Sequence, residues 1–484
     1  ASADVASPGS LSFDTATTLA GDLLVTTAGD LAMDGATVAG LLDTISGGAT
    51  TLTGPTTADA IAIDAAGDLS ILGALSSAQT IELRSGATAD IQAAVLAADI
   101  TLAAADIALG PAGQIGGAGT TANVLLINAD PTRETHIGGA GSVTSAFTVD
   151  ETELNRIFAD QRLTITTEIS SLPAGASGDF VIDTLTMDWL NGNIGPGGTL
   201  EILAPELLRV IGSVTLAVRP TDTFRLAAGD IHVVTDSGSL SLRDGSGNLA
   251  GVLDLAADNV IVASSALLPD ILAGGSLADI SALLDVNDGP VSDAGTIAAS
   301  SVDVAVAESF YVQNSGSSDA YDDRRGFTVS TNTLSINTTG AQTRIAVNGQ
   351  AIDANGDATR GLSTVSTVLI NGAPAGAGGL FDPLSTINGC VIGTDCTFVP
   401  PPPPPPPPAI PEIGNIPDTE TELTGVFPGP VLVPPGSAPI VTEVRDPLGL
   451  PPLVDEPITG VGNDDLWNAP CAEAGNCEAA EDSQ

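Results

Sequence analysis

Short apolar stretches that return at a nearly constant interval constrain this chain more than any other feature. The stretches Ile61-Ala-Ile63, Ile81-Glu-Leu83 and Ile100-Thr-Leu102 follow one another at nearly equal intervals, 20 and then 19. Each stretch is bounded by Gly, Asp, Thr or Ser, and none is long enough for an ordinary helix. A chain that buries a few residues, turns and buries a few more is typical of a solenoid. The spacing therefore predicts that one repeat makes one coil of a parallel β-helix.

Smaller repeats within this interval predict the strands and corners of each coil. Leu69-Ser-Ile71, Ile91 and Ile107 lie roughly halfway between the main stretches, which predicts two or three strands per coil. Gly-Asp-Leu occurs at 21–23, 29–31 and 67–69, and Gly-Asp-Ile at 229–231, so this pair is interpreted as a corner turn before an inward residue. The pentapeptide Ile115-Gly-Gly-Ala-Gly119 returns as Ile137-Gly-Gly-Ala-Gly141, and this spacing of 22 is also interpreted as one coil.

Composition agrees with stacked coils and excludes several partners. Aromatic residues make up only 3% of the chain and there are 55 glycines, whereas a globular core uses more aromatic side chains to fill irregular space. The net charge is −46 and all 13 basic residues are arginines, which makes nucleic acid or an anionic membrane surface an unfavourable partner. No apolar run is long enough to cross a bilayer, so a membrane span is not expected.

We predict an all-β fold, a right-handed parallel β-helix over residues 1–398 with short helical excursions. Asp150 and Glu153 form the pattern of a capping box, which predicts a short helix beside the coils. The start of the chain has no signal-peptide pattern, so a mature chain or a piece of a longer protein is expected. The expected segments are coils at 1–148, a short helical insertion at 149–162, further coils at 163–398 with a helical excursion near 264–285, a polyproline linker at 399–411 and a Pro-rich acidic tail at 412–484.

The linker consists of nine consecutive prolines, which cannot join a sheet and predict an extended polyproline II segment. They are Pro400, Pro401, Pro402, Pro403, Pro404, Pro405, Pro406, Pro407 and Pro408. The tail that follows is sparse in strand patterns, and we expect it to be extended and to become ordered only against a partner.

The four cysteines form two matching Cys-x5-Cys pairs, Cys390 with Cys396 and Cys471 with Cys477. Each pair includes a glycine that permits the tight turn of a small ring, so two local disulfides are predicted. Four free thiols are the alternative, and zinc is disfavoured because neither a Cys-x2-Cys spacing nor a nearby His accompanies the pairs.

Two acidic segments are weak candidates for calcium, and otherwise no cofactor is expected. They place oxygen ligands at near-alternate positions, as calcium loops do, but neither completes the twelve-residue pattern with its terminal Glu. Ordinary Asx turns are the favoured interpretation. The candidate ligands are Asp353, Asn355, Asp357, Asp285, Asn287 and Asp288.

The residues that enzymes of this fold class require are sparse, so we predict that the protein is not an enzyme. Lysine is absent, no Gly-x-Ser-x-Gly element follows a strand, and aromatic platforms for sugar stacking are nearly missing. His232 lies at the centre of the strand pattern Ile231-His-Val233 and is predicted to face solvent.

The strand repeats, the proline-rich break and the Cys pair near the end together resemble the C-terminal part of a two-partner-secretion exoprotein, a filamentous-haemagglutinin-like adhesin. The segments Val368-Leu-Ile-Asn-Gly-Ala-Pro-Ala-Gly-Ala-Gly-Gly379 and Pro383-Leu-Ser-Thr-Ile-Asn-Gly-Cys390 resemble the ends of strand-repeat surface proteins of alphaproteobacteria. The resemblance covers residues 1–408 by architecture and the last 15 residues by motif. The family's N-terminal secretion domain does not occur in this sequence.

The resemblance implies a secreted, cell-surface fibrous protein of a diderm bacterium, an adhesin or a filament component. In some members of that family a C-terminal Cys pair forms a disulfide loop that holds the end of the chain at its outer-membrane transporter barrel, and Cys471 and Cys477 occupy the matching place. The alternative is a self-assembling extracellular filament or surface-layer subunit, in which the tail of one copy binds the coils of the next. The expected partners are therefore the transporter barrel or neighbouring copies, together with a surface receptor of unknown kind.

Overall fold

The structure is a computed structural model that describes residues 2–141, 143, 146–168, 178–234, 239–263, 296–312, 328–339, 344–347, 364–374 and 390–391. The chain divides into two units, Ala1–Pro402 and Pro403–Gln484, and every described residue belongs to the first. The predicted excursion near 264–285, the polyproline linker and the tail lie outside the described residues.

The described residues form a parallel β-helix, as predicted. Its strands make one 25-stranded sheet and two six-stranded sheets, in which nearly all pairs are parallel and join one coil to the next. The column that we call face 1 runs through the whole stack. Its strands are β1 (Ala3–Ser7), β4 (Leu23–Thr27), β7 (Leu41–Ser46), β10 (Ala60–Ala65), β13 (Thr80–Ser85), β16 (Asp99–Ala104), β19 (Asn123–Asn128), β22 (Arg162–Thr167), β25 (Thr199–Leu203) and β28 (Thr223–Ala227).

Two further columns complete the first six coils. The second column contains β2 (Leu11–Phe13), β5 (Leu31–Met33), β8 (Thr50–Leu52), β11 (Leu69–Ile71), β14 (Thr88–Ile91) and β17 (Asp106–Leu109). The third contains β3 (Thr17–Leu19), β6 (Ala36–Val38), β9 (Thr56–Ala58), β12 (Leu75–Ser77), β15 (Ala94–Leu96) and β18 (Gln114–Ile115). Three strands per coil agree with the upper end of the prediction.

The later coils have two side columns of their own. One contains β20 (Thr135–Ile137), β21 (Phe147–Val149), β23 (Phe180–Ile182), β26 (Leu207–Val210) and β29 (Asp230–Val234), and the other contains β24 (Leu185–Asp188), β27 (Ser213–Ala217) and β30 (Ser239–Arg243). Longer strands then pass from one column to the next. They are β31 (Val252–Ala263), β32 (Thr296–Val312) and β33 (Thr328–Thr338), followed by the shorter β34 (Arg344–Val347), β35 (Thr364–Ile370), β36 (Ala373–Pro374) and β37 (Cys390–Val391).

Coil length separates two regions. The sequence numbers of register partners on face 1 differ by 19 or 20 from Ala3 to Ile100, and by 24 to 49 from there to Val368. We call residues 3–115 the narrow coils and the described residues from 123 onward the wide coils. The repeat predicted from the sequence therefore applies only to the narrow coils.

The core is a set of in-register ladders of inward side chains. Leu42, Ile61, Ile81 and Ile100 stack directly on one another, and each is at most 2% exposed. The wide coils add large side chains to the same interior: the aromatic residues that are fully buried are Phe147, Phe180, Trp189, Phe224 and Phe310. A longer coil encloses a wider cross-section, and aromatic side chains fill it.

The predicted Gly-Asp corners join neighbouring coils. The side chains of Asp22, Asp30 and Asp68 accept hydrogen bonds from the backbone N–H groups of Leu41, Ala49 and Thr88, one coil further along, at 2.9–3.1 Å. The bond from Leu41, with a second from Ser2, lowers the pKa of Asp22. The aspartate of this motif therefore satisfies a donor of the next coil.

Segment 149–162 contains the predicted capping box but is built into the coil. Helix α1 (Glu151–Leu154) begins after Asp150, whose carboxylate accepts from the backbone N–H of Glu153. Leu154 and Ile157 are fully buried, and Ile157 forms a bridge with Ile115. The segment therefore extends the coil around its interior. A 3-10 helix, Trp189–Asn191, makes a second irregular corner.

The interpretation of the repeated Ile-Gly-Gly-Ala-Gly pentapeptide is wrong. Ile115 lies in β18 and pairs with Val95 and Ile157, whereas Ile137 lies in β20 and pairs with Val149 and Ile182. The two copies therefore occupy different columns, because the coil in this region is longer than the interval between them. No described helix is long and apolar enough to cross a membrane.

Candidate functional site

An outward ladder of charged side chains runs along face 1 of the wide coils. The strands β25, β28, β31 and β32 place Glu201, Arg225, Asp254 and Asp303 in register, one per coil. These residues alternate with inward apolar neighbours, so each side chain points to the outer surface of its strand. Parallel neighbours are about 4.8 Å apart, which brings the four groups into direct electrostatic contact.

Arginine and carboxylate groups alternate within this ladder. The Nε atom of Arg225 lies 3.6 Å from Glu201 Oε1 and 3.5 Å from Asp254 Oδ2. Arg162 approaches the other Glu201 oxygen at 3.6 Å, and the Thr164 hydroxyl donates to it at 3.2 Å. Glu201 is only 7% exposed, and two arginine side chains and one hydroxyl group stabilise its buried carboxylate.

The end of the ladder carries two carboxyl groups whose pKa is raised, Asp254 and Asp303. Burial raises the pKa of Asp254, and Arg225 opposes this shift while Asp303 and Glu201 add to it. Burial likewise raises the pKa of Asp303, against a hydrogen bond from Ser301. Two adjacent carboxyl groups of raised pKa therefore follow the arginine at this end of the ladder.

A polar groove opens where the ladder begins. It has a volume of about 620 Å³ and lies at the starts of β19, β22 and β25, beside the turns at 160–161 and 196–197. The polar side chains in its wall belong to Asn123, Asp160, Gln161, Arg162, Thr164 and Thr199. Arg162 and Thr164 belong to both the groove and the ladder, so the two form one continuous polar surface.

Both histidines of the chain lie on a second outward ladder, in the column of β20, β23, β26 and β29. The register runs from His136 through Val181 and Arg209 to His232. Glu134 bridges the first part of the ladder, since its two oxygens lie 2.9 Å from His136 Nε2 and 2.6 Å from Arg209 Nη2. This ladder therefore also combines basic and acidic groups.

The prediction that His232 faces solvent is wrong in its exposure. Its side chain lies on the outward side of β29, but the residue is only 5% exposed and its Nε2 atom has no hydrogen-bond partner. Burial lowers its pKa, so the neutral imidazole is favoured. Its register neighbour Ile261 is 2% exposed, and Val181, which lies beyond Arg209 in the same ladder, is also 2% exposed.

Most of the residues proposed from sequence for disulfides, linker and calcium lie outside the described residues. Of the four cysteines only the backbone of Cys390 is described, in β37, which pairs antiparallel with β34. Cys396, Cys471, Cys477, the nine linker prolines and both calcium segments are not in the described ranges. Within those ranges, no group of three or more His, Cys, Asp or Glu side chains is arranged to hold a metal ion.

The sequence contained a partial signal for the face 1 ladder. Glu201, Arg225 and Asp254 each lie at the centre of an apolar-polar-apolar triplet, a pattern typical of a strand with one buried side. The intervals between the triplets are unequal, 24 and then 29, so irregular coil lengths concealed their common register. Arg209, in the second ladder, was not assigned to any strand.

The comparisons with known proteins give no relative for this chain. No family model matches it, and neither a curated protein nor a solved structure matches it.

Proposed function

We propose that the protein is a secreted, cell-surface fibrous protein of a diderm bacterium that acts as an adhesin or filament component. The observation that carries this proposal is the unbroken register of face 1, in which each coil stacks on the last from Ala3 to Val368. A stack of this kind adds outer surface with every coil and is suited to presenting side chains to a partner.

The distribution of charge supports binding by the wide coils. The narrow coils contain a single arginine, Arg84, and no histidine, whereas both histidines and the other described arginine side chains lie from Arg133 onward. Mixed donors and acceptors give a surface that can form directional polar contacts, while the strongly negative net charge opposes non-specific attachment to nucleic acid. We assign recognition to this surface, and no catalytic step.

The proposal includes export through an outer-membrane transporter barrel and retention there by the C-terminal Cys pair. To test retention, the full chain and its Cys471→Ser variant are expressed with the transporter, and surface-bound and released protein are measured. We expect release of folded variant into the medium, and surface retention by the matched Cys390→Ser control. Unchanged retention of Cys471→Ser would contradict tethering.

Attachment itself is tested with purified chain. Beads coated with the full chain are compared with beads coated with a denatured sample for binding to a panel of cell and matrix surfaces. Binding that requires the folded chain supports the adhesin, and equal binding by both samples contradicts it.

A self-assembling filament or surface-layer subunit is the second candidate, and one observation favours it. The inward residues of the first coil are only half-buried, among them Val5, Leu11 and Phe13, whereas their partners Val25, Leu31 and Met33 in the next coil are at most 1% exposed. A further coil, from a preceding part of the chain or from a second copy, would cover these apolar side chains, and the second case gives a filament. Negative-stain microscopy separates the candidates, since regular fibres support a subunit and single particles support an adhesin.

A further inference from the structure

The groove at the start of the face 1 ladder is a consequence of coil length. The sequence numbers of the register partners Val124, Leu163 and Leu200 differ by 39 and 37, so two of the longer coils meet at this point. The turns that enter β22 and β25 carry Asp160, Gln161, Pro196 and Gly197, and they form the walls of the groove. At about 620 Å³, it lies within the usual size range of ligand sites, roughly 300–1,000 Å³.

Several hydrogen-bonding groups in the groove remain open to a ligand. The Arg162 side chain is 58% exposed, and its nearest carboxylate oxygen is 3.6 Å away. The side chains of Gln161 and Thr199 make no hydrogen bond to another described residue. Asp160 uses one oxygen to accept from the backbone N–H of Gly119 at 2.9 Å, which leaves the other for a ligand. The groove therefore offers donors and acceptors side by side.

The local charge selects against an anionic ligand. The carboxylates of Asp160 and Glu201 accompany the guanidinium of Arg162, so its positive charge is already balanced. The chain as a whole carries −46. A ligand with a phosphate or carboxylate group would therefore find no net positive charge in the groove, whereas a neutral ligand rich in hydroxyl groups could use every open group.

Peptide binding by strand addition does not fit this position. The strand β22 pairs with β19 on one edge and with β25 on the other, so its backbone groups are already used. An extended peptide needs a free sheet edge for its main-chain hydrogen bonds. Side-chain recognition of a hydroxylated ligand is the chemistry that remains.

We propose that this groove binds a neutral oligosaccharide, with Arg162 and Gln161 donating to sugar hydroxyls and Asp160 and Thr199 accepting from them. Pro196 supplies an apolar wall for the carbon face of a sugar ring. The inference rests on the proposed surface function, since it names the class of ligand that the wide coils contact.

The test uses the full chain and five defined probes. Maltohexaose, cellohexaose, xylohexaose and mannohexaose are the neutral probes and hexagalacturonate is the acidic one, and affinity is measured by calorimetry. At least one neutral probe is expected to bind, with affinity reduced tenfold or more by each of Arg162→Ala, Gln161→Ala and Thr199→Val. Arg84→Ala is the matched control, because Arg84 also lies on face 1 and is 51% exposed but is remote from the groove. Its affinity should equal that of the wild type.

Three results would overturn the proposal: no binding of any neutral probe, binding that the groove variants leave unchanged, or tighter binding of hexagalacturonate that depends on Arg162. Thermal unfolding of each variant confirms that the fold is retained, and Gln161→Ala, a change at an exposed position, serves where another variant unfolds. Bead attachment is measured in parallel. If groove variants that have lost sugar binding still attach, attachment depends on another surface and the groove proposal stands; sugar binding without attachment ends the adhesin proposal alone.

Discussion

The narrow and the wide coils share face 1, but they differ in the exposure of their outward side chains and in the residues that fill their cores. In the narrow coils, outward residues such as Ala32, Thr57 and Glu82 are exposed, and aliphatic ladders fill the interior. In the wide coils, outward residues such as Val181 and His232 are buried, and aromatic residues fill the interior. Burial of outward residues and aromatic core residues therefore occur together in the wide coils, although outward residues such as Thr186 and Thr215 stay exposed there.

Buried polar groups differ in the same way. The narrow coils use the corner aspartates to satisfy the backbone of the next coil at exposed positions. The wide coils also bury the carboxylate of an ion pair: Asp222 is 0% exposed and accepts from the backbone N–H groups of Arg219 and Gly197 at 2.8 Å each, with Nη1 of the half-buried Arg219 at 3.3 Å. The narrow corners bury neutral polar groups instead, such as the hydroxyls of Ser46 and Thr50, which share a hydrogen bond at 2.7 Å.

The largest expected effect tests whether aromatic filling is essential to the wide coils. Phe224→Ala should lower the free energy of unfolding by about 3–5 kcal/mol, because it opens a cavity at a fully buried site. Ile81→Val, the narrow-coil comparison, should cost about 1 kcal/mol. Denaturant unfolding with hydrogen exchange around each site measures both. Similar losses of unfolding free energy at the two sites would show that the wide coils do not depend on their aromatic residues more than the narrow coils depend on their aliphatic ones.

The next effect concerns the buried carboxylate of Asp222. Asp222→Ala leaves the backbone N–H groups of Arg219 and Gly197 without their acceptor and removes the ion-pair partner of the Arg219 guanidinium, so it should cost about 3–4 kcal/mol. Asp64, which is exposed on a narrow coil, provides the matched control, and Asp64→Ala should change stability by about 0.5 kcal/mol or less. Thermal unfolding of the two variants measures both effects. Equal changes in unfolding temperature would show that Asp222 does not stabilise the wide coils more than an exposed aspartate does.

The two regions should respond to pH in opposite directions. Burial raises the pKa of Glu153 in α1 from 4.5 to about 7, despite hydrogen bonds from the backbone of Leu109 and Asp150. The folded chain therefore holds this proton where the unfolded chain has lost it, and stability at this site falls by about 3 kcal/mol as pH rises from about 4.5 to 7. The pKa of Asp22 is lowered in the folded chain, so the stability that its ionised form contributes is lost as pH falls through this lowered pKa.

Hydrogen exchange between pH 5 and 7 measures this contrast. Amides in residues 147–158 should lose protection as pH rises, and Glu153→Gln should reduce that dependence, since the amide does not titrate there. Asp22→Asn should leave it unchanged. If the pH dependence of amide protection in these residues were unchanged in Glu153→Gln, other groups would be responsible for it.

The smallest expected effect tests how tightly the narrow corners stack. A Cβ atom at Gly73 would meet the carbonyl group of Gly54 in the preceding coil, so Gly73→Ala should cost about 1–3 kcal/mol. Gly9 has open space around it, and Gly9→Ala should be neutral or slightly stabilising. Thermal unfolding compares the pair, and a neutral Gly73→Ala would show that the corners can separate.

The sequence was sufficient to predict the narrow coils because their period is nearly constant. Leu42, Ile61, Ile81 and Ile100 fall in one ladder in the structure, as the spacing of 19 or 20 indicates. The triplets Leu200-Glu-Ile202 and Phe224-Arg-Leu226 also alternate as strands do, and both lie in strands of the structure. Alternation of apolar and polar residues is a local signal and survives changes in coil length.

In the wide coils, neither the register of the strands nor the burial of their outward side chains could be predicted from the sequence. The pentapeptides at Ile115 and Ile137 were assigned to one column although they lie in two, because a repeat in sequence gives no coil length. His232 alternates with apolar residues and so points outward, but alternation does not indicate what packs over an outer side. The groove depends on both, since residues from three coils form it.

The parallel register of face 1 also bears on how the chain acquires its structure. Each strand finds its partners in the coil before it and the coil after it, as β13 does with β10 and β16. A chain delivered gradually from one end thus needs only its last completed turn as a template for the next. Folding can advance in step with delivery, without waiting for distant parts of the polypeptide.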